Sequence, residues 1–220
     1  MNARHPIALL ADWLYPKRAL CMGCDSAAGF TGRDWLCEDC TRALAKRWLG
    51  AFPDSRLDGS AAAYHYGGAA GGMVRNLKYR GIHGLAGPMA QDMLRAYSAI
   101  CPTGAEVVAE VPMHPKRLRQ RGFNHATLLA GAVAAELGLP RESLLIRTRN
   151  TAQQARLEGE ARRGNLRGAI SADAERVRGR RVLLIDDVYT TGETARACAK
   201  ALRDAGAPSV SFLAFAHGDG

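Results

Sequence analysis

Apolar residues along this chain change spacing from block to block, and the changes mark out the elements. Val182-Leu183-Leu184-Ile185 is a continuous apolar run of strand length, predicting a strand over 181–185. Glu106–Val111 is a second buried-type strand, ended by Pro112, and Ala61–Tyr66 and Val210–Phe215 are two more. Between them the spacing widens to a helical period over Met73–Tyr79, Ala86–Tyr97, Ala126–Leu137 and Thr194–Ala205. Gly138 and Pro140 stop the third of these helices and Gly206 closes the last. Gly67–Gly72 reads as a flexible connection, and Arg147–Asn165, polar and basic with little periodicity, as a loop. Strands separated by helices of this length imply βαβ units and a mainly parallel sheet, so the fold class is α/β. Upstream, residues 6–15 and 41–49 read as short amphipathic helices, the second with Leu44, Trp48 and Leu49 on one side. Phe52-Pro53-Asp54-Ser55 and Asp58-Gly59-Ser60 have linker composition, which predicts a small module over 1–55 and a larger domain over 60–217.

Composition narrows the class. At 47% hydrophobic and 23% charged, the 220 residues can build a core and are not low-complexity. No apolar run approaches the roughly 20 residues that span a bilayer. The Ile7–Ala11 run is cut by Asp12 and lacks a small-residue cleavage site, so no signal peptide is read and a reducing cytoplasm is expected. The net charge of +9 is local: residues 111–181 hold 15 basic and 6 acidic side chains, and the rest hold 15 of each.

Two segments carry chemistry. Cys21-Met22-Gly23-Cys24 and Cys37-Glu38-Asp39-Cys40 have the spacing of a tetrathiolate zinc ribbon, against the alternatives of disulfides or a redox pair. A four-cysteine site is closed, so its Zn2+ would fold the module rather than catalyse. Cys198, on the apolar side of the last helix, reads as core packing, and Trp35, Trp48, Tyr64 and Tyr66 as core or interface residues. The second segment is the apolar strand that runs into Asp186-Asp187, then Val188-Tyr189-Thr190-Thr191-Gly192-Glu193-Thr194. Ligands of open α/β sheets sit at the carboxyl ends of strands. Hydroxyls, loop N–H groups and a helix N-terminus suit a phosphate, and adjacent carboxylates suit vicinal hydroxyls. A phosphate beside a diol describes a ribose 5-phosphate.

This segment resembles the phosphoribosyl-pyrophosphate (PRPP) motif of type I phosphoribosyltransferases, and the chain as a whole resembles the ComF family, which joins such a domain to an N-terminal zinc module. The resemblance runs from about residue 13 to 216. It rests on the two Cys-x-x-Cys pairs, Leu77-Lys78-Tyr79-Arg80-Gly81, Val111-Pro112-Met113-His114-Pro115-Lys116-Arg117, Arg121-Gly122-Phe123-Asn124-His125-Ala126, Gln154 to Ala169, and the Asp-Asp segment. It implies that Asp186 and Asp187 hold the ribose 2′- and 3′-hydroxyls and that Thr190 to Thr194 cradle the 5′-phosphate. It also implies that the Met113–Arg117 loop, with Lys116 and Arg117, meets pyrophosphate. Arg147–Asn165 becomes a hood that closes over the site. His114 is the one histidine in a site-like position; the other five suggest no metal site by their spacing. Leu157-Glu158, Ile82-His83 and Glu193 depart from the family pattern, the last placing an acid beside the expected phosphate.

The resemblance implies Mg2+-dependent transfer of the phosphoribosyl group from PRPP to a nitrogen acceptor that no motif identifies. The alternative is a competence protein that binds single-stranded DNA or a partner of the DNA-uptake machinery, with the PRPP site regulatory or vestigial. The basic third of the chain serves either reading, because phosphates are common to both ligands.

Overall fold

The computed structural model describes residues 20–27, 35–98, 100, 104–147 and 170–218. The helix expected over 6–15, Cys101, and the hood apart from Arg147 lie outside the described residues.

A five-stranded sheet in the order β1-β2-β7-β6-β3 forms the centre. Its strands are β1 (Trp48–Ala51), β2 (Gly59–His65), β3 (Val107–Glu110), β6 (Val182–Tyr189) and β7 (Val210–His217). β1 pairs antiparallel with β2, and every other pairing is parallel. The helices are α1 (Glu38–Ala45), α2 (Gly68–Tyr79), α3 (Ala86–Tyr97), α4 (Pro115–Arg121), α5 (His125–Leu137), α6 (Ala174–Val177) and α7 (Glu193–Asp204). A small antiparallel pair, β4 (Leu145–Arg147) and β5 (Ile170–Ala172), lies beside α7.

The apolar runs are continuous because both faces of the sheet are buried. Successive side chains alternate faces. Leu183 and Ile185 of β6 join Leu213 and Phe215 of β7 in the core under α2, α3 and α5. Val182 and Leu184 join Phe212 and Ala214 in the core under α7. The first of these cores also takes in Cys21, Met22, Leu36, Cys37, Cys40 and Leu44, so residues on both sides of the 55–60 boundary pack together.

Three expectations change. The 41–49 helix ends at Ala45, and Trp48–Ala51 is an edge strand, with Trp48 edge-on to Tyr64 at 5.6 Å. β6 does not end at Ile185: β7 continues beside it, so Asp186 pairs with Ala214 and Tyr189 with His217. β3 stops at Glu110, leaving the last four residues of β6 open on that side.

The third change concerns Gly67–Gly72, which is the start of α2 rather than a flexible connection. Gly71 and Gly72 are buried, and a Cβ on Gly72 would overlap the Gly23 carbonyl. The glycines are there for close approach. They let the Cys21–Cys24 turn lie directly on the helix, where the Asn76 side chain donates to the Met22 carbonyl at 2.9 Å. Arg80, at the end of α2, holds Asp25 with two hydrogen bonds of 2.6 and 3.1 Å. Gly72→Ala is expected to cost about 1–3 kcal/mol by overpacking this seam. A urea melt compared with that of the wild type measures it.

Candidate functional site

The alternation of β6 decides what the two aspartates meet. Asp187 follows Leu183 and Ile185 toward α2 and α5, while Asp186, half-buried beside it, keeps a carboxyl oxygen within 4.8 Å of both His125 and Asp187. Asp187 is only 2% exposed. Lys78 of α2 brings its Nζ to 2.6 Å from Oδ2, and His125 of α5 brings Nε2 to 3.4 Å from Oδ1. Burial pushes the Asp187 carboxyl up, but His125 and Lys78 outweigh it and hold the group well below the usual carboxylate range. Asp186 moves the other way, pushed up to about 8 by burial and by the Asp187 charge.

The histidine is defined by its second nitrogen. Arg121 Nη1 lies 3.1 Å from His125 Nδ1, and a guanidinium only donates. Nδ1 must therefore accept, which leaves the proton on Nε2, facing Asp187. Although His125, Asp186 and Asp187 have ligand atoms within 4.8 Å of one another, a protonated Nε2 offers no lone pair to a cation. The cluster is thus a carboxylate pair flanked by donors. Lys78 Nζ donates to Oδ2 and His125 Nε2 faces Oδ1, so Asp187 is a buried, ionised acceptor with lone pairs beyond those two contacts.

The Thr190–Thr194 turn is fixed from below. Gly192 has φ +74°, and a Cβ there would strike the Tyr189 hydroxyl. Both facts require glycine. Tyr189 donates to Asp54 Oδ2 at 2.6 Å, Arg196 Nε meets the same oxygen at 2.9 Å, and Arg196 Nη1 donates to the Thr191 carbonyl at 3.1 Å. Asp54, read as linker in the sequence, is therefore a brace for the turn, and its side chain is 1% exposed. Glu193 begins α7, half-buried, after Gly192, which has no side chain to cap the helix.

The expected pyrophosphate loop is partly helical. Pro115–Arg121 forms α4, and His114 is its N-cap, with Nδ1 accepting from the Lys116 N–H at 3.1 Å. Partial desolvation first, then Arg147, Arg119, Arg117 and Lys116, hold the His114 imidazole below its ordinary value. Lys116 and Arg117 stand exposed on the first turn of α4. Sequence reasoning passed over Lys78 and His125 as site residues. Lys78 lay inside a quoted motif, and His125 directly follows the residue that caps α5, Asn124, whose side chain accepts from the Ala126 N–H. Only the packing of two helices against one strand brings them to Asp187.

At the other end of α2, Cys21, Cys24, Cys37 and Cys40 have sulfurs that all lie within 4.8 Å of one another, and all four are free thiols. The N–H groups of Gly23 and Cys37 donate to Cys21 Sγ at 3.4 and 3.2 Å, an arrangement that suits thiolate sulfur. Hydrogen bonds from Ser26 draw the Cys24 thiol down to about 6, and burial pushes Cys40 up. A metal ion satisfies such a set by deprotonating it outright. Cys198 is fully buried in the core under α7.

The profile of the phosphoribosyl transferase domain matches residues 124–219. The DNA utilization protein YhgH of Salmonella typhimurium is 33% identical over 143 residues, 63% of each chain. Competence protein F of Haemophilus influenzae is 33% identical over 115 residues, 51% of this chain and 50% of that protein. Competence protein ComFC of Bacillus subtilis is 29% identical over 180 residues, 80% of this chain and 70% of that one. The chain thus spans half to two thirds of the length of the first two. Among solved structures, the glutamine PRPP amidotransferase of B. subtilis overlays with a TM-score of 0.42 and 28% identity, covering 60% of this chain and 26% of that one. Among the described residues no helix is long and apolar enough to cross a membrane.

The Asp54 brace links the turn to pH. Burial raises its carboxyl, but Tyr189, the Arg56 N–H and Arg196 outweigh it, so the folded value lies below the unfolded one of 3.8. A depressed carboxyl contributes stability above its unfolded value and loses it as pH falls through the folded one. Asp54→Asn is expected to cost about 2–4 kcal/mol at neutral pH, the cost of breaking a buried charge-assisted pair. The gap from wild type is expected to narrow at pH 3, as measured by urea denaturation at both pH values.

Proposed function

We propose that this chain, a member of the ComF family, binds Mg2+–PRPP at the open end of β6 and transfers its phosphoribosyl group to a nitrogen acceptor. The observation that carries the reading is the buried Asp187, held ionised by Lys78 and His125 beside a second carboxylate at the open end of a strand. Vicinal ribose hydroxyls are donors that fit such a pair. Asp186 and Asp187 take the 2′- and 3′-hydroxyls. Residues Val188 to Thr194 take the 5′-phosphate, which the braced turn and the N-terminus of α7 suit. Lys116 and Arg117 meet the pyrophosphate, with His114 positioning the turn they stand on.

Mg2+ supplies charge neutralisation on the pyrophosphate when bound. The C1′–O bond breaks, pyrophosphate leaves with the electron pair, the acceptor nitrogen forms the bond to C1′, and its proton passes to solvent. Lys78 and His125 keep Asp187 ionised, so its negative charge faces the sugar as positive charge develops there. Cys21, Cys24, Cys37 and Cys40 would hold a structural Zn2+, which would tie the N-terminal segment where it packs on α2.

A second reading, handling of single-stranded DNA, is favoured by the similarity to a DNA utilization protein and a competence protein and by the exposed Lys116, Arg117 and Arg119 on α4. The two readings separate on one variant. Mg2+–PRPP is expected to raise the melting temperature of the wild type and not of the Asp186→Asn/Asp187→Asn double variant. DNA binding would survive that change and fall steeply with salt. No shift of the wild type with Mg2+–PRPP would sink the transferase reading.

The raised Asp186 sets a pH dependence. Its carboxyl is largely protonated below about 8 and gains its charge above it. Affinity for Mg2+–PRPP is therefore expected to rise between pH 6.5 and 8.5, measured by calorimetry, and to rise less in Asp186→Asn.

A further inference from the structure

A cleft of about 710 Å³ opens beside the donor site, between the end of α2 and α4. Lys78, Tyr79, Arg80, Arg117, Arg121 and Phe123 line it, and no carboxylate does among the described residues. The Lys78 charge is spent on Asp187, and that of Arg80 on Asp25. Arg121 differs, because its partner His125 is not an anion and cancels nothing. Arg121, joined by Arg117 when no pyrophosphate is bound, therefore gives the cleft its surplus positive charge, enough for one phosphate or carboxylate.

The other wall is aromatic. Tyr79 is 71% exposed, an unusual position for so large a ring. One face carries the Arg121 guanidinium at 5.0 Å from its centroid. Phe123 is held edge-on by His83 at 4.5 Å. Rings held in this way are ready to stack on a planar ligand, and stacking of that kind is worth about 1–3 kcal/mol per ring. The volume falls in the range of small-molecule sites.

We propose that this cleft is a binding site for a planar ring bearing one anionic group, and that it seats the nitrogen heterocycle that accepts the phosphoribosyl group. The binding site stands on the cleft alone; its role as the acceptor seat rests on the donor reading above. Lys78 belongs to both sites, its stem in the cleft and its ammonium on Asp187, so a ring seated here lies next to the carboxylates that would hold the ribose. A ring nitrogen then has its lone pair available for the bond to C1′ as pyrophosphate departs. The anionic group can be a carboxylate or a phosphate, and Arg recognises both through paired donors.

The test is calorimetry on the full chain without PRPP, using probes that carry no ribose; inorganic phosphate reports any binding at the phosphate positions of the donor site. Orotate represents a ring carboxylate and phenyl phosphate a ring phosphate; uracil and inorganic phosphate are the ring and the anion alone. One ring anion is expected to bind about tenfold or more tightly than uracil or inorganic phosphate. Preference between orotate and phenyl phosphate identifies the anion. Tyr79→Ala and Arg121→Gln are each expected to weaken binding about fivefold or more, with Tyr79→Phe restoring it. Binding of neither ring anion, or equal binding by wild type and Tyr79→Ala, overturns the proposal. A parallel titration with Mg2+–PRPP keeps the two readings apart. PRPP binding without ring-anion binding removes the cleft alone. Ring-anion binding without PRPP binding upholds the cleft and removes the donor reading.

Discussion

A buried carboxylate at the end of a parallel strand is costly unless donors reach it, and in this fold they come from two helices on one face of the sheet. Asp187 is held by the Lys78 ammonium of α2 and the His125 imidazole of α5, whose other nitrogen meets Arg121 of α4. That requirement sets the position of α2. The helix must lie close enough for a lysine to reach the strand end, and it is fixed there by the cysteine turn packed against its glycines and by Asn76 and Arg80. The cysteine cluster, about two turns of helix from Lys78, is thereby tied to the electrostatics of the aspartate pair.

Asp186 meets burial and a negative neighbour, and its carboxyl rises while that of Asp187 falls. Lys78 and His125 contact Asp187 directly, so a doublet of identical side chains becomes one ionised group and one pushed up to about 8. Such divergence between neighbours is characteristic of sites that perform chemistry or bind charge. Below the pair, Asp54, Tyr189 and Arg196 fix the hydroxyl-rich turn, so its shape does not depend on a ligand.

Much of the architecture was legible beforehand. Ala86–Tyr97 has the bounds its periodicity predicted, and the long apolar strands lie where the runs placed them. Both depend on side-chain pattern, which is local. The errors fell where a partner overrides local preference. Gly68–Gly72 looks like a poor helix by propensity, yet it is helical, and at Gly72 only glycine admits the cysteine turn packed on it. β6 runs past its apolar segment because β7 continues alongside. The Asp-Asp doublet and the hydroxyl turn were visible as motifs, whereas Lys78 and His125 gave no signal as site residues.

The charge shows the same division. The +9 and its confinement to residues 111–181 are properties of the sequence alone, as are the cysteine spacing, the α/β pattern and the family resemblance. Tertiary structure decided which positive charges remain uncancelled. Lys78 and Arg80 lie outside the basic third and are neutralised by Asp187 and Asp25, more than fifty residues away in each case, whereas Arg121 meets only a neutral histidine. Net charge is a sum over side chains, but the field in a cleft depends on which of them are paired, and pairing across such separations is set by how helices pack on the sheet.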